Sequence, residues 1–155
     1  MQAALRHKGF TLVELVTTIM LIAILSVVVL PRLITSSSYS AFTLRDEFVS
    51  ELRKAQLMAM NNGDRCYRIA VDTTGYQLQG FKSMTCTGTA ELTETKQKFE
   101  GRASLALNSD NSTSFNVNFD RLGIASLGCS GACIKVIADE PLIISIESQG
   151  YIHGR

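Results

Sequence analysis

From Phe10 to Leu30 the chain runs for 21 residues with a single charge, Glu14. As a helix this run is about 31 Å long, close to the ~30 Å hydrocarbon thickness of a bilayer. It is apolar on every side, so it lacks the polar face of an ordinary surface helix. The run predicts a membrane-spanning helix over 10–30. Ahead of it lies the short basic stretch Arg6-His7-Lys8, which the positive-inside rule keeps in the cytoplasm. The segment is too long for the hydrophobic part of a secretory signal. No A-x-A cleavage site follows it, only Leu30-Pro31-Arg32. If the chain is cleaved, the site is expected before the run, not after it.

Glu14 is the second oddity. A carboxylate in the apolar part of a membrane helix costs of order 2.5–3.5 kcal/mol on insertion scales, so it needs a cation. Phe10 and Glu14 are spaced i, i+4 and share a helix face.

Gly9-Phe10-Thr11-Leu12-Val13-Glu14, with a basic leader before it and an apolar run behind it, resembles the processing site of type IV pilins and type II secretion pseudopilins. The resemblance implies cleavage after Gly9 by a membrane-embedded prepilin peptidase and methylation of the Phe10 amine. It also implies that Glu14 is the assembly residue, meeting the Phe10 amine of a neighbouring subunit. The partners it implies are that peptidase, a major pilin, other minor pilins, the inner-membrane assembly machinery with its ATPase, and membrane lipid along 10–30. The place it implies is the inner membrane with the head in the periplasm, then a pilus at the cell surface.

Charge offers little. Of 15 Lys and Arg, two precede the run, leaving 13. Of 14 Asp and Glu, one is Glu14, leaving 13. A neutral head without a basic run argues against nucleic acid as a partner. The four cysteines, Cys66, Cys86, Cys129 and Cys133, all lie beyond the apolar run. C-x-x-x-C is not a usual zinc spacing and no histidine stands near to complete a site. An even number in an exported chain reads as two disulfides, for which three connectivities exist. Neighbour pairing, Cys66–Cys86 and Cys129–Cys133, is the expectation. It implies an oxidising compartment.

Pro31 removes a helix hydrogen bond and disfavours helix at the residue before it, so it marks a candidate kink; Thr35-Ser36-Ser37-Ser38, weak helix formers, follow. Pilins often carry a proline at this depth. Beyond it Ala41, Phe42, Phe48, Val49, Leu52, Ala55 and Ala59 fall at helical spacing, with Asp46, Glu47, Ser50, Glu51, Arg53 and Lys54 on the other side. Asn61-Asn62-Gly63 is a helix stop. One long helix from Phe10 to about Met60 is expected. After it, strands are expected at Cys66–Asp72, Tyr76–Phe81, Ser104–Leu107, Ser114–Phe119, Ile134–Ala138, Leu142–Glu147 and Tyr151-Ile152, with Cys86–Lys98 as an exposed loop. The expected organisation is leader 1–9, membrane or filament-core helix 10–30, amphipathic half-helix 31–63 and β-rich head 64–155. This is an α+β architecture, a long helix on an antiparallel sheet, and the pilin fold is of that kind.

Phe115–Gly123 (FNVNFDRLG) is similar to the F-x-x-x-G stretch of the GspH/FimT group of pseudopilins and minor pilins, and Gly150-Tyr151-Ile152-His153 to that group's closing glycine and strand. Ser36–Phe48 (SSSYSAFTLRDEF) is similar to minor pilins of the mannose-sensitive haemagglutinin (MSHA) pilus. These resemblances imply a minor pilin serving pilus assembly and surface adhesion. Two other roles remain open, a pseudopilin of a type II secretion system and a DNA-binding minor pilin for natural transformation. For the last, only Lys135, His153 and Arg155 are available as phosphate contacts, too few for firm binding at physiological salt. The chain carries no G-x-S-x-G, H-E-x-x-H or phosphate-binding loop and only two histidines, His7 and His153, so no enzyme, metal or cofactor is expected. Asp120-Arg121 and Asn111-Ser112-Thr113 read as exposed turns.

Overall fold

The computed structural model describes residues 10–33 and 36–155, with side chains for 10–26 and 40–155. The leader, and Gly9 with it, lies outside the described residues. The chain divides into two compact units, one ending at residue 35 and one from Ser36 to Arg155.

The first unit is helix α1 (Leu12–Leu33). Thr11 opens it: the Glu14 amide donates to Thr11 Oγ1 at 3.2 Å, and the Leu15 amide donates to the Thr11 carbonyl at 3.1 Å. The Thr11 hydroxyl thereby satisfies one of the amides that a helix start leaves without partners, and the Thr11 carbonyl takes the first bond of the helix itself. The hydroxyls along the helix turn inward on its own backbone, Thr17 to the Glu14 carbonyl at 3.0 Å, Thr18 to Leu15 at 2.8 Å and Ser26 to Ile22 at 2.7 Å. Its large apolar side chains from Phe10 to Leu25 are exposed. Pro31 lies two residues before the end of α1. Among the described residues no helix is long and apolar enough to cross a membrane.

The second unit begins with helix α2 (Ser36–Asn61). The described residues thus hold two helices where the sequence suggests one, with 34–35 outside them. Ala41, Phe48, Val49, Leu52, Ala55 and Ala59 are buried as the spacing predicts. Phe42 is not. It is 45% exposed, with the Arg45 guanidinium 5.2 Å over its ring, and Leu44, 6% exposed, takes its place. The steps 41, 44, 48, 52, 55, 59 keep to one helical face; Phe42 and Val49, seven residues apart, share its flank, and only Val49 is covered there. At the other end the Asn62 side-chain amide donates to the Met58 carbonyl at 2.9 Å and closes the helix.

Nine strands follow: β1 (Cys66–Asp72), β2 (Gly75–Phe81), β3 (Leu92–Thr93), β4 (Gln97–Lys98), β5 (Ser104–Leu107), β6 (Phe115–Phe119), β7 (Gly131–Ile137), β8 (Leu142–Ile146) and β9 (Ile152–Gly154). They form two antiparallel sheets where a single one was expected. In one, β2, β1 and β6 lie in order, with β3 and β4 both on the outer edge of β2. In the other the order is β5-β7-β8-β9. The segment read as an exposed loop, Cys86–Lys98, therefore contributes β3 against Gln79-Gly80 and β4 against Gly75-Tyr76. Two-residue strands carry no alternation for a pattern to reveal. The inner faces of both sheets, including Ile69, Val117, Leu105, Ile134, Val136 and Ile144, close one core with the buried stripe of α2.

Candidate functional site

Three places collect the residues that the sequence singles out. At the start of α1, Glu14 sits in the first turn, where the partial positive charge of a helix N terminus favours an acid. The local signal for this is Thr11-x-x-Glu14, the pattern of a capping box. Phe10, 76% exposed, precedes the cap.

The second place joins α2 to the two turns that carry the closing glycines. The Gln56 side-chain amide donates to the Gly123 carbonyl at 2.6 Å and to the Gly150 carbonyl at 2.7 Å. One turn of helix earlier, the Arg53 guanidinium donates to the Ile152 carbonyl at 2.7 Å and covers the outer edge of β9. Gly123 and Gly150 have φ of 78° and 83°. A Cβ on Gly150 would lie 2.6 Å from the Gly123 oxygen, and one on Gly123 would lie 2.9 Å from Met60 Sδ. The left-handed backbone favours glycine at both positions, and at Gly150 the contact is with backbone, which cannot give way. Asp120 shapes the first of these turns: its carboxylate accepts from the Leu122 amide at 2.9 Å and the Ile124 amide at 2.8 Å. Gln56 and Arg53 were not legible as partners, because the groups they hold lie 67 to 99 residues away in sequence.

The third place is the outer face of the four-stranded sheet, where Lys135, His153 and Arg155 fall. Lys135 pairs in register with Ile143, whose carbonyl accepts from the Arg155 amide at 2.8 Å. The three share a face but not a task. Lys135 Nζ donates to Asn111 Oδ1 in the Asn111-Ser112-Thr113 turn. His153 lies 3.2 Å from Glu147 and stacks on Tyr151 with ring centroids 5.0 Å apart.

Cys66 is bonded to Cys86, and Cys129 to Cys133, with Cα separations of 5.0 and 5.7 Å. The first bond closes a small core of its own with Phe81 and Ala90. The second pins the irregular start of β7, where the register against β8 shifts between Ala132 and Ile134.

Along the side of α2 that faces β4 runs a polar cleft of about 320 Å³ lined by Glu47, Ser50, Glu51, Tyr76 and Gln97. Tyr76 forms its floor, 3% exposed, with its ring edge-on to Phe48 at 4.9 Å. Burial pushes its phenol up to about 12, and the carboxylates of Glu47 and Glu51 add to the shift. Lys54 joins Glu51 to Glu94 across the rim, and the bond to Glu94 raises the Lys54 amine above its ordinary value. At the turn between β1 and β2, Lys96 and the Thr74 hydroxyl and amide hold the Asp72 carboxyl far below the usual carboxylate range.

An opening apolar helix and a head of one helix packed on antiparallel sheets are the pilin fold. Residues 5–30 match the family described as the prokaryotic N-terminal methylation motif. Among solved structures the chain is similar to the type IV minor pilin FimU of Pseudomonas aeruginosa. One crystal form matches with a TM-score of 0.58 at 12% identity, covering 76% of this chain and 90% of that one. A second matches with a TM-score of 0.55 at 13% identity, covering 73% and 90%. At such identity the likeness is one of fold. No curated protein matches the chain by sequence.

Proposed function

We propose that this chain is a minor pilin of a type IV pilus. It is cut after Gly9, methylated on Phe10, held in the inner membrane by residues 10–30, and drawn into a filament with its β head outside. The observation that carries the proposal is the match of residues 5–30 to the N-terminal methylation motif, on a chain whose head shares the fold of FimU. In this reading Glu14 guides docking by pairing with the Phe10 amine of a neighbour, and Pro31 is the soft point of the helix. The prepilin peptidase, a major pilin, other minor pilins and the assembly machinery are its partners. Within the class we propose the MSHA-type pilus and a part in surface adhesion, on the resemblance of Ser36–Phe48 to the MshC minor pilin. The DNA-binding alternative draws little support from Lys135 and His153, both of which already hold neighbours in the head.

The test is intact mass on protein from its native host, taken separately from sheared filaments and from membranes. The expected species is Phe10–Arg155 plus one methyl group minus four hydrogens, present in the sheared fraction. Glu14→Val is expected to leave the protein in the membrane and remove it from filaments. An uncut precursor confined to membranes, in a host with an active prepilin peptidase, refutes the reading.

A further inference from the structure

Tyr76 presents an unusual combination. It is 97% buried by its 3% exposure, wedged between Phe48 and Phe99 with ring centroids at 4.9 and 6.4 Å. Yet its hydroxyl has no hydrogen-bond partner among the described residues. It is not sealed in, since no side-chain oxygen that is fully shut from solvent lacks a partner there. It opens instead into the cleft between α2 and β4. A buried phenol normally finds a partner within the fold; this one is aimed at a space between two carboxylates. Of those, Glu51 is held by Lys54 at 3.2 Å, whereas Glu47 makes no ion pair among the described residues. The cleft continues past Glu47 and Gln97, which line both parts, into a second space of about 300 Å³ bordered by Ser40, Thr43 and Glu100, with Lys98 on its rim.

The lining is rich in acceptors: two carboxylates, the Ser50 hydroxyl, the Gln97 amide oxygen and the Tyr76 oxygen. Its complement is a group that only donates and carries positive charge, which among side chains means guanidinium or ammonium. At about 320 Å³ the space lies at the low end of the ~300–1,000 Å³ of small-ligand sites, suited to one head group with its methylenes. Among the described residues no three acids, histidines or cysteines gather as a metal cage, which leaves an organic cation as the better match.

We propose that this cleft receives an arginine or lysine side chain of a neighbouring filament subunit, anchored by Glu47 and the Tyr76 hydroxyl. The inference rests on the reading of the chain as a filament subunit, which supplies neighbouring subunits. A guanidinium seated there would give the phenol its missing partner and neutralise Glu47.

The test uses the full chain in its native host, with a photo-reactive amino acid replacing Gln97 at the rim. Filaments are irradiated and sheared, and cross-linked peptides are mapped. The expected product joins position 97 to a peptide with an arginine or lysine of another subunit. Its yield should fall about tenfold with Glu47→Gln, the loss of one charge-assisted contact, and also fall with Tyr76→Phe. Reversal of the partner's cation to glutamate should abolish it, and Glu47→Lys in this chain should restore it. The chain's level in membranes serves as the folding control for each variant. Three results overturn the inference while leaving the filament reading intact, each seen with the chain present in sheared filaments. These are a product on a peptide without a basic residue, a yield indifferent to Glu47→Gln, and a cleft that yields only to added spermidine and to no subunit. Absence of the chain from sheared filaments refutes both.

Discussion

The junction at Gln56 allows the sharpest test of how the head is held together. Its side-chain amide uses both hydrogens, one on the Gly123 carbonyl and one on the Gly150 carbonyl, at 2.6 and 2.7 Å. A net contribution of about 1 kcal/mol per bond, plus part of the cost of two half-buried carbonyls left without donors, puts Gln56→Ala at about 2–3 kcal/mol. For a domain of this size that is a fall in Tm of about 10 °C. The isosteric Gln56→Glu separates donor loss from shape. It places an oxygen where the nitrogen stood, facing two carbonyl oxygens, and should cost more than alanine at neutral pH. The introduced carboxyl is then pushed above its unfolded value. The stability it retains is present at low pH and lost as pH rises through that raised value, so this variant alone should recover on mild acidification. The assay is thermal unfolding of the full chain in detergent, followed by near-UV circular dichroism between pH 4.5 and 7.5. A Gln56→Ala change below 2 °C, or a Gln56→Glu variant as stable as the parent at pH 7.5, would refute the reasoning.

The same assay checks the glycines. Gly150→Ala meets the Gly123 oxygen at 2.6 Å with φ at +83° and should prevent stable folding, whereas Gly128→Ala, with φ at +66° and nothing within 4 Å, should cost only about 1 kcal/mol. Removing the Cys66–Cys86 bond by paired alanine replacement should cost about 3 kcal/mol for its 20-residue loop, and removing Cys129–Cys133 about 2 kcal/mol for its 4-residue loop; urea midpoints that reverse this order would contradict the chain-entropy account. The phenol of Tyr76 titrates near 12 in the folded head against about 10 when unfolded. Its contribution is therefore complete below pH 10 and lost as pH rises from 10 to 12, up to about 2–3 kcal/mol. Tyr76→Phe should flatten that loss in urea titrations at pH 9 and 11.5, and parallel losses in the two proteins would exclude Tyr76 as the titrating group.

What could be read from the sequence was local. Cys66–Asp72 and Ser104–Leu107 coincide with strands because alternation over four to seven residues is itself the sheet's geometry. The α2 stripe was legible for the same reason, save for Phe42, which shares a flank of the helix with buried Val49 but stands exposed nearer the helix start. What escaped was whatever required a distant partner or too short a run. β3 and β4 exist only because β2 offers an edge to them. The division into two sheets is set by register between strands as far apart as Tyr67 and Phe119. Gly123 and Gly150 were visible as motif glycines, but their reason, the convergence of two left-handed turns on one glutamine, lies in the fold alone.

The two helices answer the same physical demand in opposite ways. α2 presents a narrow stripe and meets it with two sheets, so its apolar residues vanish into the head. α1 is apolar around its whole circumference, and its large side chains from Phe10 to Leu25 stand exposed. Nothing of that breadth stays in water without a lipid or protein cover. Its polar atoms are dealt with internally, since Thr17, Thr18 and Ser26 spend their hydroxyls on the helix backbone and Thr11 caps the first turn. Glu14 is the exception. The helix N terminus eases its charge by an amount typically below 1 kcal/mol, less than the 2.5–3.5 kcal/mol that an acid costs in a bilayer. The shortfall is made up, on the proposed reading, by a cation, the amine that processing would create at Phe10. On the proposed reading, the one charge that the helix cannot neutralise through its own cap is what makes leaving the membrane for a neighbour's N terminus favourable.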